Sequence, residues 1–187
     1  MIRRAKEKDL PAIAELLQQI LVLHHGVRPD IFHTRGSKFS KEQLKEMLID
    51  ESKPIFVYES DEGKVVAHLF LQLQEKRDLP RKSFKTLYID DLCIDEEVRG
   101  QQIGQKLMDF ARQYAKKHGC YNITLNVWND NQRAVSFYEK LGLNLNKLKW
   151  RRYYNERNTR RITSAYWTYS LSSNPKFSYG TCFYWEV

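Results

Sequence analysis

The sequence predicts a mixed α/β (α+β) domain, a mostly antiparallel sheet flanked by helices, and three observations carry that reading. Two apolar stretches, Pro54 to Glu59 and Lys64 to Gln74, surround Asp61-Glu62-Gly63, a hairpin signal. Asp91 to Leu143 reads as strand, turn, helix, strand and helix, a unit whose strands run parallel. Amphipathic helices precede and follow the hairpin, so each face of the sheet has a partner. At 187 residues, with 42% apolar and 29% charged side chains, the chain suits one domain with a real core.

Taken in order, Ile2 to Ala5 is an opening strand. Asp9 is placed to cap the next helix, with Pro11 tolerated in its first turn, and Leu10, Ile13, Leu16, Leu17, Ile20 and Leu21 form one face. That helix stops around His24, His25 and Gly26, and Val27 to Lys38 is a loop. Ser40 and Gln43 then make a capping-box pair, Phe39 and Leu44 a hydrophobic staple, and Leu44, Met47 and Leu48 face inward. After the hairpin, a charged connection from Gln74 to Lys85 leads into a strand from Phe84 to Asp95. Ile103, Leu107, Phe110, Ala111 and Tyr114 repeat at helical spacing opposite Lys106, Asp109, Arg112, Gln113 and Lys116, and Gly119 closes the helix. Tyr121 to Val127 alternates as a strand. Asn129-Asp130-Asn131 caps a last helix with Ala134, Phe137 and Leu141 inward.

Composition narrows the function. The formal charge of +8 is mostly terminal: Lys147 to Val187 supply +6 and the first 146 residues only +2. A solvated basic surface is therefore favoured over a nucleic-acid site, although a basic tail can bind phosphates nonspecifically. No apolar run approaches the roughly 20 residues of a membrane span, and Met1-Ile2-Arg3-Arg4 lacks a signal-peptide core, so a cytoplasmic location is expected. Cys93, Cys120 and Cys182 read as unpaired thiols. His24, His25 and His33 have no acidic or thiol partner at ligand spacing, and no metal is expected.

The chemistry concentrates at Val98-Arg99-Gly100-Gln101-Gln102-Ile103-Gly104-Gln105, between strand and helix. A helix's first turn leaves about four N–H groups unpaired and carries roughly half a positive charge, which suits a phosphate. Gly100 and Gly104 leave room against the backbone, and Arg99 adds positive charge. With two glycines serving turn geometry alone, the same stretch is an ordinary strand-to-helix turn.

Arg99, Gln102 and Gly104 occupy the fixed places of Arg/Gln-x-x-Gly-x-Gly/Ala, the turn pattern of the GCN5-related N-acetyltransferases, which this chain resembles from Ile2 to Leu143. Gln102 stands where the family's first glycine would. Asn131-x-x-Ala134-x-x-x-Tyr138-Glu-Lys-Leu-Gly142-Leu143 is similar to the family's second signature, with Leu143 in place of phenylalanine. The resemblance implies an acetyltransferase domain over residues 1–146, acetyl-CoA as donor, a primary amine as acceptor, and a splayed sheet whose gap takes the pantetheine arm. It implies cofactor contacts at Leu92, Cys93, Ile94, Arg99, Gly100, Gln101, Gln102, Ile103, Gly104, Gln105 and Asn131. The Val27 to Lys38 loop would wall the acceptor cleft, and homodimers are common among relatives. Residues 147–187 form a basic, aromatic-rich segment. Leu148 to Tyr154 and Ile162 to Leu171 are expected as a closing hairpin and the rest as irregular, either a partner surface or a segment foreign to the domain.

Acetyl transfer needs a neutral amine, a stabilised oxyanion and a proton for the departing thiolate. Asp90 and Asp91 stand beside the cofactor strand. Tyr88-Ile89-Asp90-Asp91 also resembles the Tyr-Leu-Glu-Asp segment of spermidine/spermine acetyltransferases, which implies Asp90 as base, through water because aspartate is short. The same two acids could simply solvate a strand end. Backbone N–H groups near Cys93 would polarise the thioester carbonyl, and Tyr138, through the second signature, is implied as general acid. Cys93 has no neighbouring histidine in sequence, which favours direct attack over an acyl-enzyme. The expected function is acetyl transfer to a polyamine-like small amine or a protein amino group. A non-catalytic CoA-binding regulatory module is the alternative.

Overall fold

Five strands, β1 (Ile2–Arg4), β2 (Ile55–Glu59), β3 (Val65–Lys76), β4 (Phe84–Ile94) and β5 (Asn122–Leu125), make one sheet in sequence order. The computed structural model describes residues 1–77, 80 and 82–144, and Met1–Asn144 form one compact unit. The expected hairpin of Leu148 to Tyr154 and Ile162 to Leu171 lies outside the described residues. Neighbours from β1 to β4 pair antiparallel, whereas β5 runs parallel to β4. A parallel neighbour needs a long crossover, supplied here by α3 (Ile103–Lys117). Thus the mixed, mostly antiparallel sheet predicted from sequence is the one observed.

Helices cover both faces. On one, α1 (Leu10–Val27) and α2 (Lys41–Ile49) bury Leu10, Ile13, Leu17 and Leu44 against Ile55, Val57 and Phe70. On the other, Ile103, Leu107, Met108, Ala111 and Ala115 of α3 cover Phe56, Leu69, Leu71, Leu87 and Ile89, with Phe137 and Leu141 of α4 (Gln132–Lys140) packed alongside. Because β2 faces two cores, Ile55, Phe56 and Val57 are all buried in succession, as a strand sandwiched between helices requires. Each such side chain contributes about 1.5–3 kcal/mol through burial.

Local signals set the element ends. Gln43 N donates to Ser40 Oγ at 3.1 Å and Ser40 N to Gln43 Oε1 at 2.8 Å, the reciprocal cap expected of α2. Ala134 N donates to Asn131 Oδ1 at 3.2 Å and starts α4. Gly119, at φ 66°, ends α3, where Cys120 N reaches Ala115 O at 2.9 Å.

Asp9 departs from expectation: it makes no side-chain cap on α1. It lies inside a 3-10 turn, Glu7–Asp9, and its carboxylate takes Arg3 Nη1 and Nη2 at 2.6 and 2.9 Å and Lys6 N at 2.8 Å. A bidentate, charge-assisted pair outcompetes a neutral cap. β5 is also shorter than Tyr121 to Val127. Its pairing with β4 runs from Thr86↔Asn122 to Ile89↔Leu125 and ends there. Past Ile89, β4 keeps β3 as a partner (Phe70↔Asp91 to Ala67↔Ile94) and has no strand on its other side among the described residues. The side of β4 that faced β5 is therefore open from Asp90 to Ile94 among the described residues.

Candidate active site

The opening beside β4 begins at a bulge. Phe70 pairs with Asp91 and Leu71 with Ile89, which leaves Asp90 unopposed. A bulge bends the strand and re-aims side chains, and here it presents two adjacent carboxylates. Asp91 is 8% exposed and accepts from His68 Nε2 at 2.9 Å; His68, on β3, is wholly buried. Since a carboxylate only accepts, Nε2 carries the proton, and Nδ1 has no partner among the described residues. Burial alone would raise the Asp91 carboxyl. The hydrogen bond and charge of His68, with Lys38 added, outweigh it and hold Asp91 below the usual carboxylate range.

Lys38 crosses from the α1–α2 loop. Its Nζ donates to Asp90 O and to Asp90 Oδ2, each at 2.9 Å, and lies 3.5 Å from Asp91 Oδ2. The same loop brings in Phe32, whose ring stacks on His24 at 5.1 Å and meets Trp128 edge-on at 5.8 Å. Burial lowers the proton affinity of His24; the Asp91 charge opposes that shift and Lys38 adds to it, so His24 shares their field. Tyr138 approaches from α4, half-buried; burial pushes its phenol up to about 12, and the Asp91 charge acts in the same direction. Tyr88 Oη, on β4, accepts from Asn126 Nδ2 at 3.1 Å.

At its C-terminal end, β4 passes through a 3-10 turn, Glu96–Val98, into the residues of the predicted anion turn. The N–H groups of Arg99 to Gln102 donate to no described residue. Lys106 N to Gln102 O, at 3.1 Å, is the helix's opening backbone bond, so those of Ile103, Gly104 and Gln105 precede the ladder. Gln102 sits at φ 60°, ψ 12°, the left-handed conformation. A side chain there costs about 1–2 kcal/mol, so the backbone keeps a glycine's shape without the glycine. Gln101 and Gln102 are exposed, as is Gly100 at φ 89° with open space where a Cβ would be.

Gly104 has a different task from the one expected. A Cβ on it would lie 2.9 Å from Phe137 Cζ and 3.1 Å from Ile94 Cδ1. Its missing side chain lets α4 pack here, while its N–H precedes the helix ladder. Ile94 differs as well: its carbonyl accepts from Arg99 Nε at 3.1 Å, so that edge group is not open. Among the remaining expected contacts, Leu92 packs toward the α3 core and Ile103 is buried in it. Gln105 Nε2 bonds both Asp109 oxygens, at 3.1 and 3.0 Å. Asn131 caps α4. Cys93 points the other way, its Sγ donating to Leu16 O at 3.3 Å, and burial pushes its thiol up to about 12. No group of three or more His, Cys, Asp or Glu that could hold a metal occurs among the described residues, and no described helix is long and apolar enough to cross a membrane.

Residues 17–143 match the pattern of the acetyltransferase (GNAT) family. The chain belongs to that family. Arabidopsis thaliana glucosamine 6-phosphate N-acetyltransferase is 28% identical over 99 residues, 53% of this chain and 63% of that protein. The chain thus spans less than two thirds of that relative's length. Mouse (Mus musculus) thialysine N-epsilon-acetyltransferase is 26% identical over 145 residues, 75% of this chain and 82% of that protein. In structure, the BH1408 protein of Bacillus halodurans, solved as a mutant, is 30% identical with a TM-score of 0.77, covering 81% of this chain and 97% of that one.

Within this GNAT domain, two residues escaped the sequence reading, Lys38 and His68. His68 carried a signal: a polar side chain between Ala67 and Leu69 in an apolar run needs a buried partner. Lys38 carried none, because its partners lie 52 and 53 positions away.

Proposed function

We propose that the protein transfers the acetyl group of acetyl-CoA to a primary alkylamine by direct attack. The observation supporting this is the open edge of β4 past Ile89, with unpaired α3 amides at one end and Asp91 and Tyr138 along it. The residues fit the donor. N–H groups from Gly100 to Gln105 would take its diphosphate, and the outward-facing backbone groups of Leu92 with the N–H of Ile94 its pantetheine arm. Acetyl-CoA, when bound, supplies an activated acyl carbon and a thiolate leaving group.

Asp91 is the base in this reading. It stays ionised, is fixed by His68, and relays to solvent the proton that an ammonium must lose. Asp90, whose carboxylate is held by Lys38, orients the amine. With its proton held to about 12, Tyr138 donates a hydrogen bond to the developing thiolate. Complete transfer to a thiolate, whose conjugate acid lies near 8.5, is strongly uphill. Cys93 takes no acyl group, since its thiol is protonated and turned toward α1.

Adjacent carboxylates favour a cationic alkylamine, the chemistry in the mouse relative's name, over a phosphate-bearing sugar amine such as the Arabidopsis relative's. Thiol release from acetyl-CoA, measured with polyamines, lysine analogues, aminoglycosides, peptide N-termini and glucosamine 6-phosphate, tests the reading. Turnover is expected with the alkylamines. Binding of acetyl-CoA without thiol release from any amine would mark a regulatory module instead.

A further inference from the structure

The Lys38 ammonium is itself a primary alkylamine at this site, resting on Asp90 O, Asp90 Oδ2 and Asp91 Oδ2 at 2.9, 2.9 and 3.5 Å. The two carboxylates among them are those assigned above to orienting and deprotonating an acceptor. We propose that Lys38 occupies the acceptor position and is acetylated in cis, so that the enzyme marks itself when acetyl-CoA is present and no amine competes. This rests on the acetyl-transfer reading above.

The placement favours reaction on three counts. Lys38 is 42% exposed on the α1–α2 loop, free enough to move toward the strand edge. Its nitrogen contacts the carbonyl of the bulge residue Asp90, so it already lies against the backbone of β4 where the sheet opens. The base it needs is an ionised neighbour, Asp91. In the step, the Nζ ammonium loses one proton by way of the Asp91 carboxylate to solvent, and the neutral amine forms a C–N bond to the acetyl carbon of acetyl-CoA. The C–S bond breaks, the CoA thiolate leaves, and it takes up the second proton, which the nitrogen sheds as the amide forms. Acetylation removes the lysine charge, so the modified side chain no longer neutralises Asp90 and fills the acceptor's place with an amide.

Lys45 is the internal control. It is 48% exposed and ion-paired to Glu7 at 2.6 Å. The full chain is incubated with acetyl-CoA and no amine, and acetylation of each lysine is followed by peptide mass spectrometry. Lys38 is expected to be modified at least about tenfold faster than Lys45, the advantage of an amine already in place. Its first-order rate should not change on dilution of the protein, and added spermidine should suppress it. Lys38→Arg, which retains the ion pair, should abolish the mark without unfolding the chain. Equal labelling of the two lysines, or a rate that falls on dilution, would overturn the proposal. So would an unmarked Lys38; thiol release with added spermidine in the same sample then tells whether the acetyl-transfer reading survives.

Discussion

The two halves of β4 share one strand and lead different lives. From Thr86 to Ile89 it is hydrogen-bonded on both sides, and Leu87 and Ile89 are buried under α3. From the unopposed Asp90 onward it has, among the described residues, only β3 as a partner, at Asp91 to Ile94, and carries two carboxylates, one of them buried on a histidine. The sheet gives up part of a ladder here, and an unpaired strand edge needs other partners. Lys38 and Arg99 satisfy some of those groups from within the chain, at Asp90 O and Ile94 O. The first half is locked into the fold, and the second half is the one we propose as the site.

Substitutions can sharpen that contrast. Tyr138→Phe, beside the open half, should lower turnover by about 10²-fold or more, the usual size of a lost proton-handling group, while acetyl-CoA affinity from equilibrium titration changes little. The unfolding free energy should fall most with Leu87→Ala in the closed half, by about 2–5 kcal/mol, with turnover per folded molecule retained. Gly104→Ala should cost about 1–3 kcal/mol by overpacking against Phe137 and Ile94, and Phe137→Leu should recover part of it. Gln102→Gly has the smallest effect: relief of about 1–2 kcal/mol of left-handed strain less about 0.5–1 kcal/mol of glycine entropy, read as a slightly higher Tm.

A pH profile separates the halves in another way. The Tyr138 phenol is raised, so it stays protonated until pH approaches about 12, and no loss of turnover between pH 8 and roughly 10 should depend on Tyr138. An alkaline limb in that range that vanishes in Tyr138→Phe would contradict its place beside Asp91. Asp91 is lowered, so its share of stability is present above the unfolded carboxylate value near 3.9 and is lost as pH falls through its folded value.

The sequence was most legible where causes are local. Ser40 with Gln43, Gly63 in the hairpin, the α3 stripe and the turn at Arg99 to Gln105 each depend on residues within a few positions. Asp9 shows the limit. Its neighbourhood suits a cap, but Arg3, brought back by the β1–β2 pairing that also sets Glu59, competes for the same oxygens. Gly104 was legible as a glycine and misread in purpose, because its neighbour Phe137 comes from a helix 33 positions on. Asp90, Asp91 and Tyr138 could be named as candidates, yet His68 and Lys38, the partners of the two acids, arrive through sheet register and a loop. Neither follows from spacing along the chain.

Amide hydrogen exchange along β4 and the α3 turn, with and without acetyl-CoA, tests the central claim most directly. Exchange at residues 99–105 should slow by at least about tenfold on binding, with slowing at Leu92 and Ile94, whose N–H groups face away from β3, and none at Leu87 to Ile89. Protection spread evenly along Phe84 to Ile94, or no change at residues 99–105, would contradict the assignment of that edge as the donor site.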